Sequence, residues 1–250
     1  MKYLLLAGCL LSGGLAVAQT QGIIRYTDTR QLNLGGANIP EEMLAQIPKE
    51  SSSDFVLKFN EQSSLYENAK DEEAENASMS HSSAGGEMRI EMKISNPENI
   101  LYRDLETQRT VQQREWMGER FLIEGSAAME WKVSTDQRMI LGYPCMKATT
   151  LRDTTMITAW FTPQITLSIG PDQFGGLPGM ILEVSEGEGD RVISATEVTL
   201  ETLEEKLKEP KRGQKMSRED FAVFQEEKLK EMEAMRGEGG GVFIIRQGGE

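Results

Sequence analysis

The chain has 250 residues, of which 38% are hydrophobic and only 6% aromatic, and its formal net charge is −13 at neutral pH. Such an excess of acid excludes proteins that bind nucleic acid through basic surfaces, and it argues against adhesion to anionic lipid. The length fits one large domain or two small ones.

Residues 1–18 have the order of a secretory signal peptide. Lys2 precedes an apolar stretch that ends at Leu15, and small residues then lead to Gln19. The apolar stretch is too short to span a bilayer. We therefore expect cleavage after Ala18, a periplasmic or secreted protein, and no transmembrane span in the mature chain.

A lipoprotein is the alternative, because Leu6-Ala7-Gly8-Cys9 has the letters of a lipobox and would make Cys9 the lipidated first residue. Only Leu4 to Leu6 would then remain as the apolar region before the cleavage point, which is shorter than signal peptides require. The soluble alternative is therefore preferred. In that case Cys145 is the only cysteine left, and its apolar neighbours predict a buried, unreactive thiol.

Short runs rich in β-branched and aromatic residues, separated by polar breaks, predict strands from residue 22 to about residue 201. The clearest is the run 87–94, where apolar and charged residues alternate with period two. The breaks are too short for crossover helices, so we expect an antiparallel sheet. The other predicted strands are GIIRYT, DFVLKF, FLIEG, RMILG, CMKATTL, TMITAWF, ITLSI, MILEV and RVISATEVTL.

Two segments interrupt the strands. Residues 67–86 combine an acidic cluster with small polar residues and have almost nothing to bury, which predicts a mobile loop. Residues 35–53 form a second predicted loop, in which EEMLAQI (residues 41–47) makes one short helix after Pro40.

After residue 200 the composition shifts to charge, and the balance of acid and base over residues 201–236 predicts solvated helices. Ser217 and Asp220 resemble a capping box at the start of the last helix. A stripe at helical spacing should hold that helix on the sheet; its members are Phe221, Phe224, Met232 and Met235. VFIIR (residues 242–246) offers a last strand before a frayed tail at 247–250.

These elements predict a mainly β (α+β) protein with a single domain over residues 19–250. The fold would be a large, twisted, antiparallel meander sheet, shaped like a half-barrel, with the C-terminal helix packed on it.

The residue types that usually carry out catalysis are scarce in this chain. His81 is the only histidine and lies in the predicted mobile loop, so we assign no catalytic residue, no metal site and no cofactor. Two alternatives remain open. Reduced copper could bind thioethers of Met79 and Met88 with His81, or of Met232 and Met235. A hydrolase could act through a pair of carboxylates, although turn chemistry accounts for Asp136, Asp153 and Asp172.

The stretch FGGLPGMILEV, residues 174–184, is the least random part of the chain. Pro178 presets the backbone for the first central position of a type II turn, and Gly179 accepts the positive φ of the second. Gly175 and Gly176 lack side chains, so their backbone can pack closely against a neighbouring element. The aliphatic run that follows predicts a buried strand.

The chain resembles the GLPGLI family of exported bacterial proteins, whose motif stands here as Gly176-Leu177-Pro178-Gly179-Met180-Ile181, with Met180 in place of leucine. FVLKFNEQSSLY, ILGYPCMKATT, TAWFTPQI, SIGPDQFGGLPGMILEV and GQKMSREDF also look like family segments, in the expected order. The resemblance spans nearly the whole mature chain. It implies export to the envelope and brings no catalytic residue or ligand. The residues that match its strongest motifs are Trp131, Gly142, Cys145, Lys147, Ala159, Trp160, Gly170, Pro171, Gly176, Leu177, Pro178 and Gly179.

These observations predict a noncatalytic envelope protein that binds an apolar ligand or a partner segment between the sheet and the C-terminal helix. The alternative is an assembly module that docks an outer-membrane partner through strand edges or the charged helix, and a carboxylate hydrolase comes third. The candidate binding residues are Lys147, Trp160, Phe174, Leu177, Pro178 and Gly179.

Overall fold

The computed structural model describes residues 20–32, 48–70, 78–79, 92–93, 97–126 and 129–236. Several predictions fall outside these ranges: the signal peptide with Cys9, the helix at 41–47, His81, the strand at 242–246 and the tail. Of the predicted strand 87–94, the described part is Met92–Lys93, which pairs with Ser78–Met79.

The described elements are β1 (Gly22–Gln31), β2 (Glu50–Phe59), β3 (Ser63–Asn68), β4 (Ser78–Met79), β5 (Met92–Lys93), β6 (Asn99–Asp104), β7 (Arg109–Trp116), β8 (Glu119–Ser126), β9 (Lys132–Ile140), β10 (Tyr143–Arg152), β11 (Thr155–Thr162), β12 (Met180–Glu186), β13 (Arg191–Thr199), β14 (Gln214–Ser217) and α1 (Arg218–Arg236).

Twelve of these strands form one open sheet in the order β14-β8-β7-β6-β3-β2-β1-β13-β12-β11-β10-β9. The order contains two antiparallel meanders, joined where β1 pairs with β13. The prediction of a mainly β protein with a large antiparallel sheet and a C-terminal helix is therefore confirmed. One pair differs from it: β14 adds to β8 in parallel, because the chain crosses from β13 to the far edge of the sheet before it pairs again.

The sheet is strongly bent, and the length of one connection requires this. β8 and β9 stand ten strand spacings apart in the sheet order, which would be about 48 Å in a flat sheet. Residues 127–131 alone connect Ser126 to Lys132, and six peptide steps reach at most about 21 Å. The two ends of the sheet must therefore curve towards one another, with an inner face between them.

The inner face carries most of the core. Across the joint between the meanders, Ile24 faces Leu57 and Tyr26 faces both Phe55 and Ala195. Residues 163–179, here called the inner loop, lie against this face, and their apolar side chains are buried: Ile165, Ile169, Phe174 and Leu177. The predicted strand ITLSI belongs to this loop and is not a strand. Ile165 and Ile169 accept hydrogen bonds from the amides of Met180 and Ile181 through their carbonyls, but the only ladder contact is an isolated bridge from Ile169.

The charged segment is helical only in its second half. Residues 201–213 have no regular structure and run across β7, where Arg109 pairs with Glu209 and the Arg212 amide donates to the Gln113 side chain. Residues 214–217 form β14, so the prediction of helices from 201 is wrong for this half. The Arg212 amide bonds to Gln113 and residues 214–217 pair with β8, in place of helical turns.

The helix α1 begins as the capping box predicted. The Ser217 hydroxyl donates to Asp220 Oδ2 at 2.7 Å and accepts from the Asp220 amide at 3.0 Å. Phe221 and Phe224 pack on Phe121, with ring centroids 5.0 and 5.4 Å apart, and Trp116 closes the group. No helix in the described part of the chain is both long and apolar enough to cross a membrane.

Candidate functional site

The inner loop holds the FGGLPG motif inside the sheet. The Arg103 guanidinium, on β6, donates to the carbonyls of Gln173 and Phe174 at 3.1 and 3.4 Å, and the Trp131 indole donates to the Gly175 carbonyl at 2.8 Å. These bonds tie the loop to both halves of the sheet.

Two glycines of the motif are required by close approach. A Cβ at Gly175 would lie 2.1 Å from Arg103 Nη1, and one at Gly179 would lie 2.1 Å from the Thr162 carbonyl oxygen. Gly179 has φ +152°. The turn itself is not the expected type II, because the Gly179 amide donates to the Leu177 carbonyl two residues earlier, at 2.7 Å, and so closes a three-residue turn at Pro178.

The six candidate binding residues fall into two separate groups. Phe174, Leu177 and Gly179 are buried in the inner loop, while Pro178 is exposed beside them. Lys147 and Trp160 face each other on β10 and β11. Their neighbours Ala148 and Ala159 are fully buried towards the inner face, so Lys147 and Trp160 stand on the outer face.

The outer-face pair is occupied by neighbouring side chains. The Arg138 guanidinium lies over the Trp160 ring at 4.2 Å and pairs with Glu183. Lys147 Nζ lies 3.5 Å from Asp136 Oδ2. The structure therefore shows a surface ion-pair group at this place.

A different site lies at one end of the inner face, where its side chains change from apolar to charged. Along β1 the inward positions are Ile24, Tyr26, Asp28 and Arg30, in that order. A pocket of about 70 Å³ opens at the charged end. We call it the arginine pocket; it is lined by Asp28, Arg30, Ser51, Ser53, Phe55, Tyr66, Pro97, Glu98, Asn99, Gln112, Arg114, Asp172, Gln173 and Arg191.

Arg191 is the centre of the hydrogen bonding in this pocket. Its Nη2 donates to Asp28 Oδ2 at 2.7 Å and to Asp172 Oδ2 at 2.9 Å, and its Nη1 donates to Glu186 at 2.8 Å. Arg30 adds a further bond to Asp28 at 3.1 Å. One guanidinium thus joins β1, β12 and the inner loop, and both aspartates are held by their partners.

Asp172 is held in the left-handed backbone region, with φ +50°, although it is not glycine. Burial alone would raise the pKa of its carboxyl, but the guanidiniums of Arg191, Arg114 and Arg30 outweigh burial and lower that pKa below its usual value. Asp172 is therefore ionised near neutral pH. A strained backbone and a buried charge at one residue are features that functional sites often combine.

Two groups in the arginine pocket remain without partners among the described residues. The Tyr66 hydroxyl is buried and has no hydrogen-bond partner, and burial, followed by the charges of Asp172 and Asp28, raises its pKa and keeps it protonated. The Arg114 guanidinium forms no ion pair or hydrogen bond with another described residue. Burial lowers the pKa of Arg114; Asp172 opposes this shift, and Arg30, Arg191 and Arg218 add to it.

Charged residues on alternating strands are expected on the solvent face, and a turn accounts for Asp172, so the pocket was not predicted. The sequence does contain one signal. Asp28 and Arg30 follow Ile24 and Tyr26 at alternate positions of β1, and alternate residues of a strand lie on the same face, which here is the buried one. The partners Arg114, Asp172 and Arg191 come from distant parts of the chain and carry no such local signal.

Metal ligands are not grouped in the described part of the chain, where no three of histidine, cysteine, aspartate and glutamate come together. His81 and Met88, two of the three residues suggested for copper in the loop, lie outside that part. Cys145 is buried within the main core, and burial raises the pKa of its thiol to about 11 while Arg138 opposes the shift.

Taken together, the bent open sheet, its packed inner loop and the arginine pocket define a mainly β protein with a small polar site on its inner face. A family model described as a protein of unknown function (Porph_ging) matches residues 149–183, which run from the end of β10 through the inner loop into β12. None of the curated proteins matches the chain.

Two solved structures are similar in fold, both of PNGF-II, in the P21 and C2 space groups. Their TM-scores are 0.54 and 0.53 and their sequence identities 17% and 16%. The likeness covers 82% and 81% of this chain but 32% of each PNGF-II chain, so the chain spans about a third of the length of those structures. At this identity the likeness concerns the fold alone.

Proposed function

We propose that the chain is an exported, noncatalytic envelope protein of the GLPGLI family, and that its ligand is a small polar group held in the arginine pocket. The signal-like residues 1–18 support export, and the stretch of this chain that the family model matches, residues 149–183, includes the GLPGMI motif. The proposal of a polar ligand rests on a single observation. Two polar groups without partners, the Tyr66 hydroxyl and the Arg114 guanidinium, belong to residues that line one polar pocket.

The space between sheet and helix gives less support to an apolar ligand. Phe121, Ile123 and Phe221 are buried there, and Trp116 and Phe224 pack against them. The aromatic rings of these residues are in contact and fill the interface between sheet and helix. Sites for apolar ligands enclose several hundred Å³, so this interface leaves little room for one. The binding of an apolar ligand between sheet and helix therefore stays a prediction. The arginine pocket is the better supported binding site.

The arrangement of carboxylates favours binding over catalysis. An acid–base pair needs two groups whose pKa values are pushed apart. Asp28 and Asp172 instead share the Arg191 guanidinium, and the pKa of Asp172 is lowered. A carboxyl that is ionised in this way does not act as a general acid near neutral pH.

Native mass spectrometry of the full-length protein from the envelope of its host tests this proposal. Arg114→Gln should remove a co-purified ligand, and Arg109→Gln, on the same strand but outside the pocket, should retain it. Phe224→Ala probes the interface between sheet and helix. If Arg114→Gln retains the ligand and Phe224→Ala loses it, the arginine pocket is not the binding site. The prediction of an apolar ligand between sheet and helix would then be supported.

A second candidate function, docking of a partner, is favoured by the exposed edge strand β9. The cross-strand row from Ile193 through Val184, Ala159 and Ala148 is fully buried, and it continues onto Val133, which is 49% exposed. Met139 on the same strand is 64% exposed. No described strand pairs with the other edge of β9, so we propose that an extended partner segment adds there.

A photo-crosslinking amino acid at Met139 tests this docking, with one at Val223 on α1 as the matched exposed control. The peptide crosslinked at position 139 would be synthesised and titrated against the purified protein. Strand addition requires that methylation of alternate peptide amides abolishes binding while methylation of the intervening amides does not. Equal effects of both methylated sets would exclude this mode.

A further inference from the structure

We infer that the arginine pocket is an oxyanion site, which takes a carboxylate or phosphate group between Arg114 and the Tyr66 hydroxyl. This inference rests on the function proposed above and names its ligand class. The shared chemistry is a compact group with two or more anionic oxygens that accepts hydrogen bonds from a guanidinium and a hydroxyl.

The lining of the pocket itself holds three guanidiniums and three carboxylates, and Arg103 and Arg218 add two more guanidiniums that act on Asp172. Five guanidiniums act on the Asp172 carboxylate; they belong to Arg30, Arg103, Arg114, Arg191 and Arg218. The other carboxylates are already paired, Asp28 with Arg191 and Glu98 with Arg120. The carboxylates present therefore leave guanidinium charge uncompensated, which an anion would balance.

Arg103, Arg114 and Arg218 form no ion pair within the described part of the chain, and of these three only Arg114 lines the pocket. Asp28 and Asp172 both bind Arg191, and Arg218 donates to the Gln173 side chain at 2.5 Å. Arg114 lines the pocket without a carboxylate of its own among the described residues. A guanidinium presents a planar fork of donors that fits two oxygens of one oxyanion.

The Tyr66 hydroxyl supplies an independent observation. Tyr66 is 2% exposed, stacks on Phe55 at 4.9 Å and meets Tyr26 edge to face at 6.2 Å, so its ring is fixed. A buried hydroxyl without a partner costs about 1 to 3 kcal/mol. Tyr66 is one of the residues that line the pocket, and in the inferred complex its hydroxyl donates to the oxyanion.

The size of the pocket limits what enters. About 70 Å³ has room for one small group rather than for a drug-sized molecule, whose sites start at roughly 300 Å³. Either a free small anion or the terminal acidic group of a longer molecule at the pocket mouth fits this limit.

Calorimetric titration of the full-length protein with inorganic phosphate and with acetate tests the inference. Acetamide, which has the shape of acetate without its charge, is the control probe. We expect saturable binding of at least one anion and none of acetamide. Arg114→Gln should weaken anion binding by about tenfold or more, and Tyr66→Phe by about three- to tenfold, whereas Arg109→Gln and Tyr143→Phe should change it less than twofold.

Thermal unfolding separates a binding defect from a folding defect. Tyr66→Phe removes a hydroxyl that has no partner, so its melting temperature without anion should equal or exceed that of the wild type. Phosphate should stabilise the wild type by mass action and stabilise Tyr66→Phe less. A Tyr66→Phe protein that binds phosphate as tightly as the wild type would overturn the assignment.

The outcomes also distinguish this inference from the function on which it rests. If acetate and acetamide bind equally well and Arg114→Gln binds neither, the oxyanion inference is refuted. The proposal that the pocket binds a polar ligand would then still hold. Absence of binding by every probe, with a co-purified ligand retained in Arg114→Gln, would refute both. A peptide that binds with a free terminal carboxylate, but not as its amide, would identify a longer molecule as the source.

Discussion

Gly176 and Gly179 stand in one motif, yet a methyl group would meet different surroundings at the two positions. At Gly179 the new Cβ would lie 2.1 Å from backbone oxygen, whereas at Gly176 the nearest atom is 3.5 Å away. Both have positive φ. Gly179→Ala should therefore lower the free energy of unfolding by about 3 kcal/mol, and Gly176→Ala by only about 1 kcal/mol.

Urea denaturation of the two variants measures this difference. Equal losses would mean that backbone conformation alone, and not the contact with Thr162, makes glycine necessary at position 179. A Gly179→Ala protein of full stability that fails to bind its ligand would instead assign the motif to a contact surface.

Asp172 makes the stability of the protein depend on pH. A carboxyl whose pKa folding lowers stabilises the native state above its unfolded pKa, near 3.8, and that stabilisation disappears as the pH falls through the folded pKa. Asp172→Asn, which keeps a side chain suited to positive φ, should cost about 2 kcal/mol at pH 7.

Unfolding free energies from pH 7 down to pH 2 measure this dependence. The gap between wild type and Asp172→Asn should stay constant above about pH 5 and shrink below about pH 4. Asp153→Asn supplies the matched control, because Asp153 also has positive φ but is exposed at a turn. A gap that does not change with pH would show that Asp172 does not titrate with folding.

For single residues, several local features were predicted correctly from the sequence, but the arginine pocket was not. The capping box at Ser217 and the close packing at Gly175 depend on neighbours a few residues away or on the glycine itself, and both were predicted. Arg191 depends on Asp28, 163 residues away, so no local pattern could pair them. The turn at Pro178 differs from the expected type because the Met180 amide bonds to the Ile165 carbonyl, outside the motif.

Among the elements, α1 is attached to the sheet by few side chains. Phe221 is buried against Phe121, whereas Val223 on the same helix is 56% exposed. Phe221→Ala should cost about 3 kcal/mol and release α1, because Phe221 is the only buried side chain among residues 218–232 of that helix. Val223→Ala should cost less than about 0.5 kcal/mol.

Hydrogen exchange distinguishes local release from global destabilisation. In Phe221→Ala the amides of α1 should exchange faster while those of β11 and β12 stay protected. Uniform loss of protection through the sheet would show that α1 supports the whole fold.

The strands and their antiparallel sheet were largely predicted, but the parallel strand β14 was not. Runs rich in β-branched and aromatic residues identified β1, β2, β8 and β10 to β13, since such a run depends on each segment alone. ITLSI was mistaken for a strand because burial of the inner loop also selects apolar residues. The parallel strand β14 and the irregular segment before it form where a charged chain meets β7 and β8, which composition cannot indicate.

For the whole molecule, Cys145 reports on global unfolding. It is fully buried in the main core, and burial raises the pKa of its thiol to about 11, so few thiolates are available near neutral pH. At pH 8 alkylation of Cys145 should be far slower than that of a free thiol, and its dependence on urea should follow the unfolding transition. Fast labelling without denaturant would indicate local opening of β10 instead.

The pairing of β1 with β13 sets the order in which this protein can fold. Ile23 meets Thr199 across that ladder, and the inner loop that fills the sheet begins at residue 163. A chain that emerges N-terminus first, from the ribosome or from a translocation channel, therefore cannot close its core until nearly four fifths of its length is free. Until then one edge of β1 stays open to wrong partners, and loop closure over such a separation is slow. The core is therefore completed late, once β13 is free to pair with β1.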